Sequence, residues 1–218
     1  MNVDEERTAN DELRRLGVPR VPAVALDGRA VHGWNPPAYA ALLGVKYAPV
    51  AKLAPAELVK RLDTILGTAE ALVRRFPEAA LDSIPPERER TIRDLAFHVF
   101  RLSLAFIDAM DRGSLPEGWF TETAPPEMRD GIAIASYGAL VRGRIGGWFE
   151  GTEVGEYERV VDVYYGPQSG HELLERTTWH AGQHLRQLYL LAERLRITPP
   201  SPLPVETFRG LPLPEAMW

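Results

Sequence analysis

The 218-residue chain contains no cysteine. Disulfides, thiolate metal ligands, iron–sulfur clusters and cysteine nucleophiles are therefore all excluded. It also lacks an excess of positive charge: 25 Lys and Arg against 30 Asp and Glu give a formal net charge of -5. The arginines that do cluster, Arg74-Arg75 and Arg88 with Arg90, are interrupted by acids, so no basic field exists to hold nucleic acid or anionic lipid. No stretch approaches the ~20 uninterrupted apolar residues of a membrane helix. The first residues, Met1-Asn-Val-Asp-Glu-Glu-Arg7, have no apolar core of the kind a secretory signal needs. The expectation is a soluble, cytoplasmic protein without nucleic-acid or membrane partners.

What is present is ordinary globular material, 45% hydrophobic and 25% charged, enough for one good-sized domain with a small appendage. The chain divides near residue 50, with an appendage over 1–48 and a main domain over 49–218. In the first part, residues 5–16 read as a short helix. Asp27-Gly28 between two apolar runs marks a hairpin, because a two-residue turn needs positive φ at both central positions. Asn35 followed by Pro36 and Pro37 starts a second helix that ends at Gly44.

The remainder reads as four long helices. The first spans Pro55 to Phe76, with Leu58, Leu62, Ile65, Leu66 and Leu72 at helical spacing. The second begins after Pro85-Pro86 and reaches Asp111, with a stripe of Ile92, Leu95, Val99, Leu102 and Phe106. The third covers Glu127 to Glu150, and a connector rich in Val and Tyr leads to Gly166-Pro167. The fourth runs from Gly170 to Arg196, stopped by Pro199-Pro200. The apolar, proline-containing tail is expected to drape over the resulting four-helix bundle.

Three of the five histidines share a face. His180 and His184, four residues apart, project from the fourth helix within ~40° of each other. Leu188 and Leu191 continue that face inward, and His98 lies between Leu95 and Leu102 on the inward stripe of the second helix. A single inward histidine is ordinarily a hydrogen-bonded core residue. An inward pair with a third on a neighbouring helix favours a metal, since uncompensated buried imidazoles are costly. Imidazole suits zinc, nickel, iron or copper, and three protein ligands leave positions open for water and substrate. Gln187, three residues after His184, is placed to bond a ligand ring or bound water, and Asp94, four before His98, to orient that ring or to pair with Arg90 or Arg186. Trp179 and Tyr165 are candidates for the pocket wall or for plain aromatic packing. His171 should face away on the fourth helix, and His32 lies in the hairpin.

Two resemblances follow from these residues. Arg93-Asp94-Leu95-Ala96-Phe97-His98-Val99, Tyr164-Tyr165-Gly166, and Glu175 through Leu188 with His180 and His184 resemble the second and last helices of the DinB/YfiT-like family over residues 52–197. All three histidines match the family's metal triad. The resemblance implies a mainly α, up-up-down-down bundle holding a divalent metal, zinc first, with nickel, iron or manganese as alternatives. Members with assigned activities include metal-dependent thiol S-transferases and a mycothiol-dependent isomerase. The implied activity is thus thiol transfer to a small-molecule substrate with a low-molecular-weight thiol; a metal-dependent hydrolase and a non-catalytic binding module are the alternatives. Gly17-Val-Pro-Arg-Val-Pro22, the hairpin and the helix ending at Leu43-Gly44 resemble the C-terminal half of a glutaredoxin or thioredoxin, in which the residue matching Pro22 is a cis proline. The cysteine motif of that family is missing, so its redox activity does not carry over. The hairpin's open edges point to a homodimer.

Overall fold

The computed structural model describes residues 7–18, 23–33, 35–48 and 51–218. Pro22, the expected cis proline of the glutaredoxin-like segment, lies outside the described residues. The chain forms two compact units, Met1–Ala51 with Asp162–Pro167, and Lys52–Val161 with Gln168–Trp218.

The smaller unit holds helix α1 (Arg7–Arg15), strands β1 (Ala23–Leu26) and β2 (Arg29–His32), and helix α2 (Pro36–Leu43). The strands pair antiparallel in the register Ala23 to His32 and Leu26 to Arg29. Asp27 and Gly28 take φ of 51° and 75°, the two positive values that the Asp-Gly pair was expected to supply. Asn35 caps α2 by accepting from the Ala38 N–H at 3.1 Å, and Gly44 ends it at φ 66°.

The larger unit is built on α3 (Pro55–Val73), the single-turn α4 (Glu78–Leu81), α5 (Ile92–Arg112), α6 (Gly131–Glu150) and α7 (Gly170–Arg194). Thr91 and Asp130 cap α5 and α6 through Asp94 N–H and Ala133 N–H. Ser169 and Glu172 form a reciprocal capping box on α7. The core holds the stripes read from the sequence: Leu58, Leu62, Ile65 and Leu66 of α3, Leu95, Val99 and Phe106 of α5, and Leu188 and Leu191 of α7 are buried, and Leu174 and Leu185 of α7 join them.

Contacts along the helices fix their directions. Lys52 pairs with Glu172 and Ile65 lies beside Gly182, so α3 and α7 run parallel. Val73 meets Gly131 and Asp63 pairs with Arg142, so α3 and α6 are antiparallel. Phe97 stacks on Tyr137 and Phe106 on Phe149, making α5 and α6 parallel, while Met110 beside Gly170 and His98 beside His184 make α5 and α7 antiparallel. Two up helices therefore stand beside two down helices, in a four-helix bundle as expected, but not in the expected chain order of up, up, down, down. The order along the chain is up, down, down, up, so the second up helix is the last.

Other boundaries shift for local reasons. Asp130 is the α6 cap, so that helix begins at Gly131 rather than at 127. The Val- and Tyr-rich connector forms strands β4 (Val160–Val163) and β5 (Gly166–Ser169), which share a sheet with the two-residue strand β3 (Ser114–Leu115). The tail does lie on the bundle: Arg61 donates to the Thr207 and Arg209 carbonyls, and Phe208 packs on Gly182.

Gly138 is what brings α6 against α5, since a Cβ there would sit 2.6 Å from the buried Phe100 ring. Gly138→Ala is expected to destabilise the protein by about 1–3 kcal/mol through overpacking. Urea denaturation checks it, and an unchanged midpoint would mean that this close approach does not matter to the bundle.

Candidate metal centre

His98 sits on α5 in the second turn after its Thr91 cap, and His180 and His184 sit one turn apart at the middle of α7. Because these helices run antiparallel, the start of one lies level with the later half of the other, and the three rings meet. The ring centroids of His98 stand 5.3 Å from His180 and 5.1 Å from His184, and the two α7 rings are 4.3 Å apart. One nitrogen of each ring falls within 4.8 Å of the others, with His98 and His184 buried and His180 half-buried.

The donor set fits a divalent metal. His180 Nε2 and His184 Nε2 lie 3.1 Å apart. Tetrahedral nitrogen ligands with bonds of ~2.0–2.1 Å stand roughly 3.3 Å from one another. His98 Nδ1 is buried without a hydrogen-bond partner, so the protein itself does little to offset that ring's desolvation. Burial is the first reason that all three rings stay neutral and keep a lone pair available. It drives His98 down to about 2, with the neighbouring His184, Arg90 and Arg88 adding to the effect. His180 lies well below its ordinary value for the same first cause. His184 is lowered by burial to about 4, against the opposing effect of the hydrogen bond it donates to Gln187.

Gln187 is fully buried, and its Oε1 accepts from His184 Nδ1 at 2.7 Å, the bond its helical spacing suggested. Asp94 is employed elsewhere. Its carboxylate accepts from the Thr91 hydroxyl at 2.7 Å and the Ala124 N–H at 2.9 Å, which ties the loop before α6 to the start of α5. Asp94 thus forms neither the bond to His98 nor the ion pair to Arg90 or Arg186 that its position suggested. Trp179 lies 6.0 Å edge-on to His180 and carries the Arg176 guanidinium on its outer face. Tyr165 belongs to the smaller unit, where it packs on Tyr164 and its backbone carbonyl closes on Gly33. His171 bonds the Leu53 carbonyl at 2.8 Å, and His32 ends β2; neither joins the triad.

Beside His180 opens a shallow recess, lined by Leu102, Phe106, Leu115, Phe120, Arg176 and Thr177 among others. Phe120 meets the His180 ring edge-on at 6.4 Å. Its loop is fastened by Arg101, which pairs with Glu122 and Asp108 and covers the Trp119 ring at 5.0 Å. Sequence reading passed over this loop because it has no period; the adjacent aromatics Trp119-Phe120 between two helices were the available signal.

The fold and the triad define a metal-binding four-helix-bundle protein. The DinB superfamily model matches residues 61–188, more than half of the chain, which places this protein in that superfamily. Two solved structures from Bacillus subtilis share the fold. A DinB-like protein, 16% identical, superposes with a TM-score of 0.54 over 67% of this chain and 96% of its own. YfiT, described as a probable metal-dependent hydrolase with an unusual four-helix bundle topology, is 14% identical with a TM-score of 0.53 over 71% of this chain and 96% of its own. No curated protein matches the chain. The glutaredoxin-like segment lies outside the family match, which begins at residue 61. No helix among the described residues is long and apolar enough to cross a membrane.

The lowered histidines set the pH response of the metal-free protein. Below about 6.5 the unfolded chain takes up protons at these rings that the folded chain refuses. Stability therefore falls with pH through this window, down to the folded values of about 4 for His184 and about 2 for His98. The melting temperature of metal-free protein should drop between pH 7 and pH 5, and less so in His98→Leu. Equal slopes in the two proteins would remove the triad as the cause.

Proposed function

We propose that this protein is a metal-dependent thiol S-transferase that uses a low-molecular-weight thiol. The observation that carries the reading is a triad of neutral imidazoles with no carboxylate among the metal-binding candidates, beside an apolar recess. A water nucleophile ordinarily calls for a positioned base to take its proton. Asp94 and Glu122, acids on the adjoining elements, are committed to Thr91, Ala124 and Arg101. A thiol, with an ordinary pKa near 8.5, needs no such base once a divalent cation binds it, because coordination deprotonates it outright. The chain has no cysteine, so the thiol is supplied from outside.

The protein's own residues then divide the work. His98, His180 and His184 would hold the metal, with zinc the expected ion and nickel, iron or manganese the alternatives. Gln187 fixes the His184 ring. Leu102, Phe106, Leu115 and Phe120 receive the apolar part of an electrophilic substrate and exclude water from the side of His180.

A second reading, metal-dependent hydrolysis, is favoured by the shared fold with YfiT and its description as a probable metal-dependent hydrolase. The two readings part on thiol dependence. Cobalt-loaded protein titrated with glutathione or cysteine is expected to gain an intense near-ultraviolet sulfur-to-cobalt band. Thiol consumption with 1-chloro-2,4-dinitrobenzene should fall by at least about 100-fold in His180→Ala, since loss of even an outer-shell partner costs 10–100-fold. An unchanged cobalt spectrum would reject thiol ligation and leave hydrolysis as the reading.

A homodimer is part of the same proposal. β1 and β2 form a two-stranded sheet, so each has an unpaired edge within it. Light scattering is expected to return twice the chain mass, and a monomer would end this part of the reading.

A further inference from the structure

We propose that the segment 214–218 is a working part of the metal centre: through the Met217 carbonyl it orients the Gln187 side chain, and through Gln187 it selects the tautomer of His184. The argument is one of donors and acceptors. A backbone carbonyl can only accept, so the Met217 carbonyl must face the donating end of the Gln187 amide, and Nε2 reaches it at 2.6 Å. The accepting end, Oε1, is then turned to His184 Nδ1 at 2.7 Å. An acceptor at that position requires the proton of the neutral ring to sit on Nδ1. The lone pair is left on Nε2, the atom that lies 3.1 Å from His180 Nε2 where the ligand nitrogens converge. Without the Met217 carbonyl, a Gln187 amide could turn and offer its NH2 to His184, which would place the lone pair on Nδ1 and the proton where the metal belongs.

The segment is fastened well enough to do this. Gln183 Nε2 donates to the Ala216 and Met217 carbonyls at 3.0 and 2.8 Å, and Arg186 donates to the Pro214 carbonyl at 2.9 Å. The Gln183 amide is itself oriented, because its Oε1 accepts from Arg186 at 2.9 Å. The Trp218 ring is held by Arg88 at 5.4 Å and Arg194 at 5.8 Å. Gln183, Arg186 and Gln187 occupy successive positions on one side of α7, so the same helix that carries two ligands also carries the clasp for the segment that sets one of them. Met217 is a positioning residue, acting through its backbone.

The test measures zinc affinity by chelator competition and the His184 tautomer by 15N imidazole spectra of metal-free protein. Deleting residues 216–218 is expected to weaken zinc binding about tenfold, and Gln187→Met by about 10–100-fold, the range for outer-shell partners of metal-bound histidine. The deletion combined with Gln187→Met should be no weaker than Gln187→Met alone, since both act through one amide. His184 should change from a single Nδ1–H tautomer in the parent to a mixture in the deletion. Gln183→Leu with Arg186→Leu, which frees the segment without shortening the chain, should reproduce the mixture and the loss of affinity, and it decides the matter if the deletion fails to fold. Unchanged affinity, losses that add in full, or an unaltered tautomer would each overturn the proposal.

Discussion

The burial of three uncharged imidazoles facing one another is the constraint to which the rest of the larger unit answers. Burial strips each ring of much of its water, and protonating any one of them would set a cation beside its neighbours. Such an arrangement is tolerable only if the nitrogens have partners of the right kind. Gln187 supplies one by accepting from His184. His180 Nε2 and His184 Nε2 face each other, His98 Nδ1 is without a hydrogen bond, and a cation among the three rings would be a partner they share.

That requirement explains the division of labour among the helices. The triad needs α5 and α7 antiparallel and close, so that a ring near the start of one meets rings in the middle of the other. The remaining two helices bring no ligand. α3 contributes four leucines and Ile65 without exposed surface, and α6 contributes glycine, whose missing side chain admits the Phe100 ring. Rigid apolar packing on the far sides of α5 and α7 holds the ligand geometry, which is what a preorganised site demands of its scaffold. The loop bearing Phe120 is held separately, by the Arg101 ion pairs and the Trp119 ring, and can differ in detail without disturbing the triad.

Much of this was legible before any coordinates. The Asp27-Gly28 turn, the Asn35 cap and the apolar stripes of the first, second and fourth helices are local signals, and the structure honours each, because turn dihedrals and helix periods are set by neighbouring residues. The His180 and His184 pair was readable for the same reason: helix geometry alone puts the two on one face. His98 needed the inward stripe of a second helix, and Gln187 needed only its spacing. What could not be read lies in contacts far apart in sequence. Asp94 has the right spacing to reach His98, yet it closes a bond to Ala124, thirty residues away. The carbonyl of Met217 carries no side-chain signature at all, so nothing in the sequence connects the tail to Gln187.

The charge around the triad narrows what it can hold beyond the cation. Three neutral ligands cancel none of a divalent charge, and Arg88 and Arg90 bear on His98 and His184 in the same positive sense. Arg90 is half-buried and feels Asp94, but it makes no ion pair among the described residues, and Arg88 leaves its Nε buried without a hydrogen bond. Asp94 spends its hydrogen bonds on Thr91 and Ala124 and offsets part of this field at Arg90. A site of that character favours an anion at its open positions over a neutral molecule. Thiolate and hydroxide both qualify, but a thiol reaches its anionic form from an ordinary pKa near 8.5, whereas water starts at 15.7. Among the described residues no carboxylate joins the triad, and the smaller step is what supports the proposed thiol transfer over hydrolysis.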